Sequence, residues 1–178
     1  MQSLDVQFSS TISASLDLAK ELMDCKGLPV IFCVGESGSG AVLSKMVAEL
    51  LILKYGVEAY VYGRNKSNIS EKNLSSAISF AENRHKGSKV ILVVSRYVGA
   101  KEEDLIYYGK GERLMDKNIV GDYCFLVGIN SNKIWGGKQL SLNRLADKTA
   151  KIIRNGIEYC KVLKECNKKL SAGIVWSV

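Results

Sequence analysis

The apolar positions of this chain fall into two kinds of stretch that take turns. Leu28 to Val34 is an almost unbroken apolar run rich in Val and Ile, as expected of a strand buried on both faces of a sheet. Val57 to Tyr62 and Lys89 to Val94 repeat the theme. Between them, helical spacing takes over. Residues 41–54 place Val42, Leu43, Met46, Val47, Leu50 and Leu51 on one face, and Gly56 is placed to end that helix. Residues 70–84, opened by Ser70 as a cap, turn Leu74, Ala77, Ile78 and Ala81 inward. Strand, helix, strand, helix, strand is the signature of a parallel sheet covered by helices.

The ends add further elements. Residues 10–24 read as a helix with Ile12, Leu16, Ala19 and Met23 on its inner face. Past the third strand the pattern loosens. It suggests an edge strand at 103–108, a strand at Tyr123 to Ile129, and a last edge strand in the tail Gly173 to Val178. The longest predicted helix covers 141–168, with Leu142, Leu145, Thr149, Ile152, Ile153, Gly156, Ile157 and Cys160 as its inner stripe. No repeat, linker or low-complexity tract divides the 178 residues, so one α/β domain is expected over 1–178.

Charge changes this picture at one place. Of the net +7, a balance of +5 lies between Ser141 and Leu170. The pairs Arg154–Glu158 and Lys161–Glu165 have i,i+4 spacing, which suits a solvated outer face. The same face could meet an acidic protein or a nucleic acid. Only Tyr159 is aromatic there, which argues against base stacking. The five cysteines form no C-x-x-C pair, and Cys33 and Cys124 sit in apolar runs, which suggests reduced thiols and a cytoplasmic protein. The first ten residues lack the basic start and apolar core of a signal peptide, and no membrane segment is expected.

The loop Gly35-Glu36-Ser37-Gly38-Ser39-Gly40 follows the first buried strand and opens a helix. That context could offer backbone N–H groups to an anion through Gly35, Ser37, Gly38, Ser39 and Gly40. A nucleotide-hydrolysing loop needs Lys and then Ser or Thr next, and here Ala41 and Val42 stand instead. A tight strand-to-helix crossover is the plainer reading. His85, the only histidine, lies among Arg84 and Lys86 at a helix end and reads as a surface residue, so a Ser-His-Asp triad is hard to assemble. No His/Cys cluster has metal-ligand spacing, Glu102, Glu103 and Asp104 read as a solvated turn, and no cofactor is implied. Ser37, Ser39 and Ser95 lie at the C-terminal ends of strands, where open α/β sheets place their sites.

Taken in order, FCVGESGSGAVLSKM, VYG at 61–63, VILVVSRYVGA at 90–100, G-K-G at 109–111, VGD at 120–122 and AKIIRNGI at 150–157 resemble the YyaC-type sporulation proteins. These are relatives of the germination protease of spore-forming bacteria and share the hydrogenase-maturation peptidase fold. The resemblance spans about residues 28–160. It implies a three-layer α/β/α sandwich with a mostly parallel sheet, phosphorylase/hydrolase-like, and a site at the ends of the first and third strands. It also implies a protein partner or spore-protein substrate, in the cytoplasm of a spore former, and leaves a homodimer open. In the germination protease two aspartates serve that site. By the resemblance their positions fall on Ala41 and Ser95 here, and from Gly35 to Lys45 the only carboxylate is Glu36. Acid–base proteolysis by two carboxylates needs one to hold a proton while the other activates water.

Three functions follow as expectations. The first is a protease-like protein that has lost its aspartate pair and acts by binding. The second is a hydrolase with another residue set, drawn from Glu36, Ser37, Ser95, Arg96 and Asp122. The third is a phosphate- or nucleotide-responsive module using the loop backbone.

Overall fold

The computed structural model describes residues 2–4, 8–35, 38–64, 69, 71–98, 105–110, 121–130 and 138–171. Its elements are β1 (Gln2–Leu4), α1 (Phe8–Glu21), β2 (Val30–Gly35), α2 (Ser39–Glu49), β3 (Tyr60–Tyr62), α3 (Glu71–Arg84), β4 (Val90–Val98), β5 (Leu105–Lys110), β6 (Tyr123–Asn130) and α4 (Lys138–Ser171). A short 3-10 turn, Leu22–Asp24, extends α1, and a π-helical turn, Leu50–Lys54, extends α2 until Gly56 ends it at φ 54°. Six strands form one mixed, mostly parallel sheet in the order β1-β5-β6-β4-β2-β3. β3, β2, β4 and β6 run parallel; β5 and β1 run antiparallel to their neighbours. The α/β class expected from the sequence is present.

The apolar runs behave as composition demands. All of Val30 to Val34 is buried in β2. Alternation then divides the strands between two clusters. Ile31 and Cys33 of β2, with Ile91 and Val93 of β4, pack with residues of α1, α2 and α4. Val30, Phe32 and Val34, with Val90, Leu92 and Val94, pack with Leu74, Ile78 and Ala81 of α3. The inward stripes read from the sequence for α3 and α4 lie where expected, except that Ala77 is only half-buried.

α1 is rotated from its expected face, and α2 departs from its own at one residue. On α1, Ile12 and Leu16 are 41% and 42% exposed, while Ala14, Ser15, Leu18, Ala19 and Leu22 are buried. The small residues win because α1 lies unusually close to α4. A Cβ on Gly156 would stand 2.7 Å from Leu18 Cδ2 and 3.0 Å from the Ser15 carbonyl oxygen. Ser15 Oγ has two carbonyl acceptors in reach, Thr11 at 2.9 Å within α1 and Ile152 at 3.1 Å in α4, so its one proton is shared between the two helices. On α2 the expected face holds: Leu43, Val47 and Leu51 are buried, joined by Ala48, with Met46 and Leu50 packed beside them, and only Val42, 46% exposed, turns outward.

The sheet corrects two further expectations. β5 is not an edge: it pairs with β6 on one side and β1 on the other. The strand β1 had no signal in the sequence because three residues, QSL, carry no period. His85 is not a free surface residue either. It is half-buried, its ring stacks on Tyr60 at 3.7 Å between centroids, and Nε2 meets Tyr62 Oη at 2.9 Å. The expected pairs on α4 are rearranged, with Lys161 joining Glu158 and Glu58 and Arg154 donating to Asn155. The Ser70 cap, the acidic turn at 102–104 and the tail strand at 173–178 lie outside the described residues.

All five cysteines are free, and only Cys166 is exposed. Burial pushes the thiols of Cys33 and Cys124 up to about 12, so both remain protonated hydrophobes at neutral pH.

Candidate functional site

The end of β2 places the glycine turn beside Ser95, which lies within β4, since that strand runs on to Val98 and does not stop at Val94 as expected. The two strands are parallel neighbours, and Gly35 pairs in register with Ser95. After β2, Gly38 caps α2 at φ 71°, ψ −132°, a conformation that side chains resist. The crossover is closed so tightly that side chains have no room. A Cβ on Gly35 would stand 2.3 Å from the Gly40 carbonyl oxygen, and one on Gly40 would stand 2.8 Å from that of Ser95. Gly40 is thus buried, Ser39 and Ala41 are half-buried, and Gly38 is exposed. Ser44, one turn on, spends its hydroxyl on the Ala41 carbonyl at 3.1 Å. The two ends of the glycine loop, Gly35 and Gly40, are packed together as a tight crossover requires.

Ser95 is the unusual member. It is 0% exposed, and among the described residues its Oγ has no hydrogen-bond partner. The register and the pleat then separate the other sequence candidates from it. Arg96 follows Ser95 on β4, so its side chain leaves from the opposite face of the sheet. Asp122 lies at the wrong end of the domain. It precedes Tyr123, whose register partner is Ile91, and so sits beside the start of β4, about 16 Å along the strand from Ser95. There its Oδ2 accepts the Val90 N–H at 2.7 Å and its Oδ1 pairs with Lys89 at 3.3 Å. Asp122 therefore holds strand ends together and cannot join Ser95 in one cleft. Glu36 and Ser37 lie outside the described residues.

A polar cavity that no sequence signal announced opens at Asp122's end of the sheet. It measures about 510 Å³ and is lined by Asp17, Lys20, Glu21, Asp24, Lys89, Lys110 and Tyr123. Its inner charges neutralise one another. Glu21 pairs with Lys89 at 3.4 Å and Lys110 at 3.3 Å, and Tyr123 donates its hydroxyl to Asp17 at 3.0 Å. Burial first, and then Asp17, push the Tyr123 phenol well up. Burial works to lower the Lys89 ammonium, but Asp122 and Glu21 outweigh it and the net shift is upward. Such a network ties α1 to the sheet and needs no ligand to balance it. No sequence spacing could have found it, because its members come from α1, β4, β5 and β6.

A second cavity of about 510 Å³ runs between α2 and α4, past Met46, Leu50, Leu53 and Arg144. At its rim Asp147 accepts from Lys54 at 2.6 Å and from Tyr55 at 2.8 Å. Partial burial raises the Asp147 carboxyl, but these two bonds outweigh it and hold it below its ordinary value.

Among the described residues no group of three or more His, Cys, Asp or Glu side chains could hold a metal ion. Among the same residues, no helix is long and apolar enough to cross a membrane. No family model, curated protein or solved structure matches this chain.

Proposed function

We propose that this chain is a protease-like scaffold of the sporulation type that acts by binding a protein rather than by cutting one. In this reading the sheet and helices form the three-layer α/β/α sandwich of the germination-protease and hydrogenase-maturation peptidase fold. Its place would be the cytoplasm of a spore-forming bacterium. The observation that carries the reading is the pairing of Gly35 with Ser95. It brings the turn that leads to Ala41 against Ser95 of β4. Gly40, the residue before Ala41, packs against Ser95, and the two positions where the resemblance expects aspartates hold a methyl group and a hydroxymethyl group.

Neither side chain can shuttle a proton in the manner of a carboxylate pair. Of the residues offered for an alternative hydrolase, the three that are described do not converge. Ser95, Arg96 and Asp122 diverge by face and by end of the sheet. Cys33, two residues before the crossover, keeps its proton because it is buried.

The experiment is a paired assay with small acid-soluble spore proteins and with a propeptide substrate. Saturable binding of a labelled spore protein without cleavage is expected. Cleavage that Glu36→Gln abolishes would overturn the reading.

A further inference from the structure

α2 carries a second apolar line besides the one it buries. Val42, Met46 and Leu50 follow one another at a turn's spacing, and Leu53 continues the line through the π-helical turn. Val42 is 46% exposed and Leu53 68%, the most of any large apolar side chain among the described residues. Met46 and Leu50 are half-buried against the core. Beside Met46, Leu50 and Leu53 runs the cavity of about 510 Å³, whose far wall is Asn143, Arg144 and Asp147 of α4. From Val42 to Leu53 the line is about 16 Å long, or about three helical turns. An apolar floor of that length under a polar wall is the form that receives the apolar face of an amphipathic helix. Bare apolar surface of this kind marks interaction sites.

The charges along the groove say which helix fits. Two ion pairs stand on its walls, Lys45–Glu49 at 3.9 Å within α2 and Lys54–Asp147 at 2.6 Å across to α4. Arg144 lines the groove, is exposed, and has no partner among the described residues. Lys151, one turn past Asp147, also acts on that carboxylate and helps hold it below its ordinary value. Four cations thus meet two carboxylates, and the positive excess lies on α4, the helix that carries most of the chain's basic surplus. An acidic partner gains from that excess; a second copy, itself +7, does not. Among the described residues the lining holds no aromatic ring, so it gives a nucleic acid base nothing to stack on.

We infer that the α2–α4 groove is a docking site for an acidic amphipathic helix of a partner protein. Apolar side chains of that helix lie along Met46, Leu50 and Leu53, and a carboxylate beside them pairs with Arg144. The inference goes beyond the protease-like reading, since it stands on α2 and α4 alone and needs no residue of the β2–β4 crossover.

The probe is a synthetic amphipathic peptide of about 18 residues, long enough to hold a helix, with leucine at i, i+4, i+7 and i+11 and glutamate beside them. A copy with lysine in place of every glutamate is the control. Fluorescence anisotropy of each labelled peptide is followed as the full chain is added. The glutamate peptide should bind saturably, at least tenfold more tightly than the lysine peptide, and less tightly as salt rises. Leu53→Asp should weaken it at least tenfold with little change in melting temperature, because the side chain is exposed. Arg144→Glu should narrow or reverse the preference between the two peptides, a result that loss of fold would not give. Phe80→Ala, which alters an exposed side chain of α3 on the other face of the sheet, should change nothing. No saturable binding of the glutamate peptide, or equal binding by Leu53→Asp, would overturn the inference. So would a dimer in sedimentation that Leu53→Asp splits, because a second copy would then fill the groove. Cleavage of a spore protein would overturn the protease-like binding reading and leave these outcomes unchanged, so the two fail separately.

Discussion

Ser15 Oγ of α1 lies 3.1 Å from the Ile152 carbonyl oxygen of α4 and 2.9 Å from that of Thr11 in its own helix, so one hydroxyl bridges the two helices where they pack. Gly156 makes that approach possible, since a Cβ there would stand 2.7 Å from Leu18 Cδ2. Leu18 is itself fully buried and cannot swing away. Gly156→Val is therefore expected to destabilise the fold by about 2–3 kcal/mol through overpacking. Urea unfolding followed by circular dichroism measures it. An unchanged midpoint would mean that α1 and α4 can part without loss.

The charge network under α1 makes a prediction about alkali. Tyr123 and Lys89 both hold their protons more tightly in the folded chain than ordinary tyrosine and lysine do. Groups raised in this way contribute fully below their unfolded values, about 10 for each, and that contribution drains away as pH rises past them. Stability should fall above about pH 10. Tyr123→Phe removes the bond to Asp17 and should cost about 1–2 kcal/mol at neutral pH. It should also flatten the alkaline loss. Denaturant midpoints of both proteins from pH 7 to 11 test both statements, and parallel curves would count against them.

Asp122 separates a structural role from a catalytic one. Its carboxylate accepts the Val90 N–H and pairs with Lys89. Asp122→Ala leaves the amide without its acceptor and should cost about 1.5–3 kcal/mol, the range for bonds to charged groups. Because Asp122 is remote from Ser95, binding of the labelled spore protein should survive in the folded variant. Calorimetric melting and the binding assay, run on the same sample, measure the two effects. Weakened binding at full stability would place Asp122 in the site after all.

Local period made much of the fold legible. Five or more apolar residues in a row at Leu28 to Val34 fixed β2, and the 3.6-residue stripe from Leu142 to Cys160 fixed α4. Where the reading slipped, partner geometry outweighed hydrophobicity. Ile12 and Leu16 look like the inner face of α1, but Ala14, Ser15 and Leu18 fit against Gly156 and take their place. β1 exists because β5 offers it a partner, which three residues cannot announce.

The candidate site was legible as a turn and not as a constellation. Its glycines were readable, and so was the serine of β4. The period of two along β4 already implied that Ser95 and Arg96 point apart. That Asp122 stands at the far end needed the register of β6 on β4, which only the folded sheet supplies.

The burial of the cysteines gives the protein an internal gauge. Four of the five thiols are enclosed and Cys166 alone faces solvent on α4. A thiol reagent thus meets one reactive group while the chain is folded and five once it opens. Cys25 reports on the turn before β2, Cys33 and Cys124 on the sheet, and Cys160 on the packing of α4. The order in which those four become reactive is the order in which the domain comes apart, written in the natural sequence with no label added.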